Sequence, residues 1–259
     1  MALSGAFKLF DSDNDVVKNI KSTISSGLWS GGVGTLTSFY TQSAQSASSG
    51  NYYSDVYKTD PASDSEAEIQ FSMAFGHLDG SGSAGILGTS YTDRPSAAVY
   101  SQFRNLLLDN PTDGTTFIDA EGDGNTRMYF LAMNRSRFKQ GVNAGNWYMH
   151  LSSSAGHYTT SILEIMDDSS ISNGNVVNGH LEYNIVSGSE TNGVFADGSG
   201  NTHYWGKFYP ELGILAFGGD KLVGAAGTGP QGTFGLALGA TDSVNTNDAQ
   251  NGKLYDAIN

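Results

Sequence analysis

The chain has 259 residues, 34 of them glycine, no cysteine, and 26 acidic against 13 basic residues for a formal charge of −13. That length allows one large all-β domain or two ordinary ones. Its field repels phosphate backbones and anionic membranes, and the missing cysteines exclude disulfides, thiolate metal sites and thiol nucleophiles.

Dense Gly, Ser, Asn and Asp favour many short strands joined by turns, so a mainly β fold is expected: an antiparallel sandwich or barrel-like domain with two short helices and an extended N-terminal arm. The opening residues lack the basic region and apolar run of a signal peptide, and no stretch has the length to span a bilayer. The first helix is predicted over about residues 14–26, where Asp13 caps it and Val16, Val17, Ile20 and Ile24 share one face. Residues 28–50, with Trp29, a run of glycines and a Ser/Ala/Gln tract, read as an arm, which divides the chain into an arm unit at 1–50 and a β-rich domain at 51–259.

In the β-rich domain the clearest strand is 66–75, whose Ala67, Ile69, Phe71, Met73 and Phe75 alternate with a largely polar set. The second helix is predicted over 95–109, entered at Pro95 and carrying Val99, Phe103, Leu106 and Leu107 on one face. Strands follow at 128–133, 147–151, 162–166, 181–186, 203–208 and 212–217, with Phe234, Leu236 and Leu238 suggesting one more.

Chemical motifs fail in context. Residues 80–85 fit G-x-G-x-x-G, but loop rather than helix follows, so nothing presents a helix terminus to a pyrophosphate. The loop at 11–15 begins like a calcium hand but lacks its glycine and closing carboxylate, and it reads as a helix cap. Asp119, Glu121 and Asp123 form an oxygen-rich loop for which a solvated turn is preferred to an ion site. The five histidines show no metal-binding spacing, there is no G-x-S-x-G elbow, and neither Gly-Lys pair continues into Ser or Thr. Acidic neighbours such as Glu66 and Glu68, or Asp167 and Asp168, read as solvated faces rather than acid/base pairs. No catalytic residue, cofactor or metal is therefore assigned.

Interface candidates are clearer. Arg127, Arg135, Arg137 and Lys139 concentrate basic charge that meets either an acidic surface on a neighbour, such as Asp60, Asp64, Glu66 and Glu68, or partners within the chain. Trp29, Tyr204 and Trp205 are the aromatic candidates.

Several segments go further: 8–13 (KLFDSD), 67–77 (AEIQFSMAFGH), 98–108 (AVYSQFRNLLL), 134–139 (NRSRFK) and 204–215 (YWGKFYPELGIL). Together they resemble virion structural proteins of contractile-tailed cyanophages, over residues 8–215. The resemblance implies a non-enzymatic tail subunit, foremost of the baseplate, with neck or other tail positions behind it. It also implies synthesis in the host cytoplasm, a product that continues past Asn259, and assembly as a homo-oligomer or a repeated member of a complex with other virion proteins. A carbohydrate- or receptor-binding tail module, with Trp147, Tyr204 and Trp205 as stacking residues, is the second reading. A tail-associated glycan hydrolase is the third.

Overall fold

The computed structural model describes residues 40–42, 53–57, 59–80, 95–152, 162–194, 202–223, 254 and 258. The helix predicted at 14–26, Trp29, residues 81–85 of the glycine motif and the strand expected around Phe234 lie outside these residues.

The protein is mainly β, a curled antiparallel half-barrel sheet with one longer helix. In chain order its elements are β1 (Tyr40–Gln42), β2 (Tyr53–Tyr57), β3 (Ile69–His77), α1 (Pro95–Leu107), β4 (Phe117–Ile118), β5 (Gly124–Asn125), β6 (Arg127–Met133), β7 (Tyr148–Ser152), β8 (Ile162–Asp167), β9 (Asn175–Val177), β10 (His180–Ser189), β11 (Gly193–Val194), β12 (Tyr204–Tyr209), β13 (Ile214–Gly218) and α2 (Gly219–Val223). The sheet runs β1-β2-β3-β6-β13-β12-β10-β8-β7, with β9 and β11 attached to β10 and β4–β5 forming a separate hairpin. Two meanders thus meet at one seam, where β13 returns to pair with β6 (Leu215 opposite Leu131, Phe217 opposite Tyr129). The expected arm contributes a strand of its own, since β1 pairs with β2.

Strand alternation builds two apolar layers. One gathers Phe71, Met73 and Phe75 of β3, Tyr129, Leu131 and Met133 of β6, and Leu215 and Phe217 of β13, and extends to Ile185, Ile165 and Leu151. The other holds Ala74, Met128, Phe130, Ile214 and Ala216 beneath α1, whose Val99, Tyr100 and Leu107 complete it.

The second layer corrects the expectation that one side of β3 is polar. Ala74 is buried because α1 covers that face, and Gln70 is buried with its side chain bonded to the Glu68 carbonyl and to Arg137. Gly76 is what allows the approach: a Cβ there would lie 2.9 Å from the Tyr100 Cα. Phe103 stacks on Phe130 with centroids 3.9 Å apart. The Tyr100 hydroxyl donates to the Asn125 carbonyl (2.7 Å) and accepts from the Phe117 amide (3.1 Å), so one buried side chain fastens the β4–β5 hairpin to the helix.

α1 ends at Leu107, short of the predicted 109, and Asn110 takes the left-handed conformation (φ 41°) that asparagine tolerates. Among the described residues, no helix is long and apolar enough to cross a membrane.

Candidate functional site

The basic segment forms a corner. After β6, Asn134 caps a single 3-10 turn (Arg135–Arg137): its side-chain oxygen accepts from the Ser136 amide (3.0 Å) while its Nδ2 donates to the Ile69 carbonyl (2.9 Å). Arg137 places Nη1 3.2 Å from a Glu68 carboxylate oxygen and donates from Nη2 to the Gln70 side chain. Arg135 donates to the Glu211 carbonyl (3.1 Å) and lies 4.6 Å over the Phe138 ring. Phe138 is buried beside Gly213, which has φ 66°, and Met133 donates its amide to the Gly213 carbonyl (2.8 Å). The corner therefore ties the start of β3 to the turn between β12 and β13.

Of the two readings of this cluster, Arg137 takes the intrachain one, since its acidic partner Glu68 is on the same chain. Arg135 likewise binds its own backbone, Arg127 lies against Gly219, and Lys139 is exposed. Asp60 and Asp64 organise their own turn by accepting from the Ala62 and Glu66 amides (both 2.9 Å).

The aromatic candidates turn inward. Trp205 is buried and its indole N–H donates to Ser187 Oγ (3.0 Å). Trp147 packs on Phe208 at 5.3 Å, and Tyr204 is half-buried. Trp205 is thus taken up by the core, whereas Trp147 and Tyr204 are only partly buried.

Two acidic sites differ from their sequence reading. Asp167 and Asp168 are buried, not solvated. Asp167 accepts from the Gly145 amide (2.8 Å) and the Ser169 amide (3.0 Å), and Asp168 accepts from the Asn184 amide (2.9 Å) and Nδ2 (2.7 Å). Buried carboxylates persist where several N–H groups point at them.

The adjoining strands extend this network. Lys207 Nζ lies 2.9 Å from Glu182 Oε1 and donates to Asn184 Oδ1 (2.9 Å), while the Tyr209 hydroxyl donates to Glu182 Oε2 (2.7 Å). Burial, reinforced by the Glu182 carboxylate, pushes the Tyr209 hydroxyl pKa well above its ordinary value. Sequence pattern hides this group because each member looks like an outward polar residue of an alternating strand; the signal available was Lys207 and Tyr209 two apart on β12.

The loop between β4 and β5 folds around Asp119, whose Oδ1 accepts from the Glu121 amide (3.1 Å) and the Asp123 amide (2.8 Å). Asp119, Glu121 and Asp123 bring carboxylate oxygens within 4.8 Å of one another. The cation among them is an ammonium: Lys221 Nζ lies 3.4 Å from Asp119 and 3.1 Å from Asp123 and is bonded to Glu121. Burial lowers the Lys221 pKa, but hydrogen bonds to Glu121 and Asp123 and the Asp119 charge outweigh it, so the net shift is upward. The turn is exposed at residues 120–124, as expected, with Asp119 buried beneath it, and it also serves as the clasp that holds α2.

The histidines are separate. His150 pairs with Glu164 (3.3 Å) across β7 and β8, and His180 lies 3.9 Å from Glu211. A hollow between the β4–β5 hairpin and the sheet, bordered by Asn125, Trp205, Lys207 and Lys221, has room for little more than a water molecule.

No family model, no curated protein and no solved structure matches this chain.

Proposed function

We propose that this chain is a structural subunit of a phage contractile tail, situated in the baseplate, which acts by assembling with other virion proteins as a repeated component. The observation that carries the reading is where four of the resembling segments lie. Residues 67–77 hold β3, 98–108 lie mostly on α1, 134–139 form the Arg135–Arg137 corner, and 204–215 supply β12 and the turn into β13. They touch one another: α1 packs on β3, the corner bonds Ile69 and Glu68 on one side, and Glu211 on the other. Segments that share one scaffold keep a fold together, which is the demand on a subunit whose work is to hold position.

The charged groups support the same reading. Arg135, Arg137, Lys207 and Lys221 each bind a partner within the chain and secure a strand, turn or helix. Mass spectrometry of purified virions produced from the genome carrying this chain tests the proposal. The protein is expected in intact particles and in isolated tails; its absence from both overturns the reading.

A further inference from the structure

Asn184 of β10 and Lys207 of β12 are register partners on adjacent antiparallel strands, so their side chains leave the same face of the sheet side by side. Glu182, two residues before Asn184, returns to that face, as does Tyr209, two residues beyond Lys207. Lys207 Nζ therefore meets two groups at once: it donates to Asn184 Oδ1 (2.9 Å) and lies 2.9 Å from Glu182 Oε1. The other Glu182 oxygen accepts from the Tyr209 hydroxyl (2.7 Å), and Asn184 Nδ2 donates to Asp168 Oδ2 (2.7 Å). The carboxamide is thus held at both ends, with its carbonyl presented to the amine.

An amine, a carboxamide and a proton acceptor are the parts of an amide exchange, and here they are enclosed together, largely out of water. The Asn184 carbonyl carbon is one C=O bond beyond Oδ1, so Nζ lies at most about 4.1 Å from it; a shift of about 1 Å reaches a near-attack distance of ~3–3.5 Å.

We infer that Lys207 and Asn184 join in a covalent isopeptide bond after the chain folds, with Glu182 carrying the protons. Glu182 Oε1 accepts a proton from the Lys207 ammonium, and the freed lone pair attacks Asn184 Cγ. The carbonyl re-forms as the Cγ–Nδ2 bond breaks. Of the three ammonium hydrogens one stays on the new amide nitrogen, and Glu182 relays the other two to the departing nitrogen, which leaves as ammonium. Nothing is oxidised or reduced, no further reactant enters, and Glu182 ends as the carboxylate it was. The ionic contacts are those of the newly folded chain; the amide replaces them with a neutral link whose N–H still faces Glu182, removing the desolvation cost of the ammonium. The inference stands on this geometry, independently of the tail reading.

Mass spectrometry of the full chain, purified and left folded, tests it. The intact mass is expected one ammonia below the sequence value. Cleavage after glutamate separates residues 183–190 from 191–211, so the linked chain is expected to yield these two as one branched peptide joined through Asn184 and Lys207. Lys207→Arg, which keeps the charge without a primary amine, and Glu182→Gln, which keeps the shape without the proton acceptor, are expected to retain the full mass. For the parent chain, full mass with 183–190 and 191–211 recovered separately overturns the inference, whatever the variants do. So does an ammonia lost within 183–190 alone, which marks cyclisation of Asn184 onto its own backbone. A branched peptide formed undiminished in Glu182→Gln overturns the role given to Glu182.

Discussion

Replacing Lys207 with methionine isolates the buried pair on β10 and β12. The Lys207 and Glu182 side chains are 14% and 8% exposed, and their charged atoms lie 2.9 Å apart. Lys207→Met keeps the aliphatic stem but leaves the Glu182 carboxylate, among the described residues, with the Tyr209 hydroxyl as its donor, and Asn184 Oδ1 loses its lysine donor. Breaking a buried pair from one side costs 3–5 kcal/mol, and the surviving Tyr209 bond argues for the lower end, about 3 kcal/mol. With a urea slope of about 3 kcal/mol/M, the unfolding midpoint falls by about 1 M. Removing both charges, as Lys207→Met with Glu182→Leu, eliminates the stranded carboxylate and leaves the Tyr209 hydroxyl without its acceptor. The double variant is expected to be more stable than Lys207→Met alone by about 1 kcal/mol or more. Urea unfolding followed by Trp fluorescence measures both. A single variant within about 0.5 kcal/mol of the parent, or a double variant no better than the single, refutes the view that Glu182 depends on Lys207.

Gly213→Ala imposes a left-handed Cβ (φ 66°) and sets that carbon 2.5 Å from the Phe138 ring, so a loss of about 3 kcal/mol is expected in thermal unfolding. Because the Tyr209 pKa is raised from 10.0, the unfolded chain releases this proton first as pH rises; the stability is present below 10.0 and declines above it. Tyr209→Phe is expected to flatten that alkaline decline in unfolding curves taken across it, and an unchanged slope counts against the assignment. Lys221, also raised, contributes fully below 10.5 and loses its contribution as pH climbs through the raised folded value. Lys221→Met is expected to cost up to about 1 kcal/mol at low salt and nearly nothing in molar salt, and a salt-independent loss contradicts the clasp.

The long strands were legible because their apolar residues recur regularly: β6, β8, β12 and β13 fall within two residues of their expected ends. The helix over α1 was equally legible through Val99, Phe103 and Leu107. β4, β5, β9 and β11 were not, since a strand of two or three residues carries no period and is defined by its partner. β2 escaped because its sequence, YSDVY, places a polar pair inside the run and its Asp55 accepts from Ser72 across the strands (2.5 Å). The polar pair at Asp167 and Asp168 was misread for a related reason: both look solvated in sequence and become buried only when strands distant in the chain fold over them. Chemistry-bearing types were visible, but the number of N–H groups aimed at each was not.

The seam between β6 and β13 also sets an order of events. Ala132 opposes Ile214, so β6 must wait, as the chain is made, for β7 through β12 to be completed before its second edge is paired. Such non-local pairing slows folding, and until it forms Phe130 and Leu131 sit on a strand open along one side. Synthesis interrupted before Ile214 therefore yields a β3–β6 half-sheet with an apolar open edge, a species prone to join edges with its own kind.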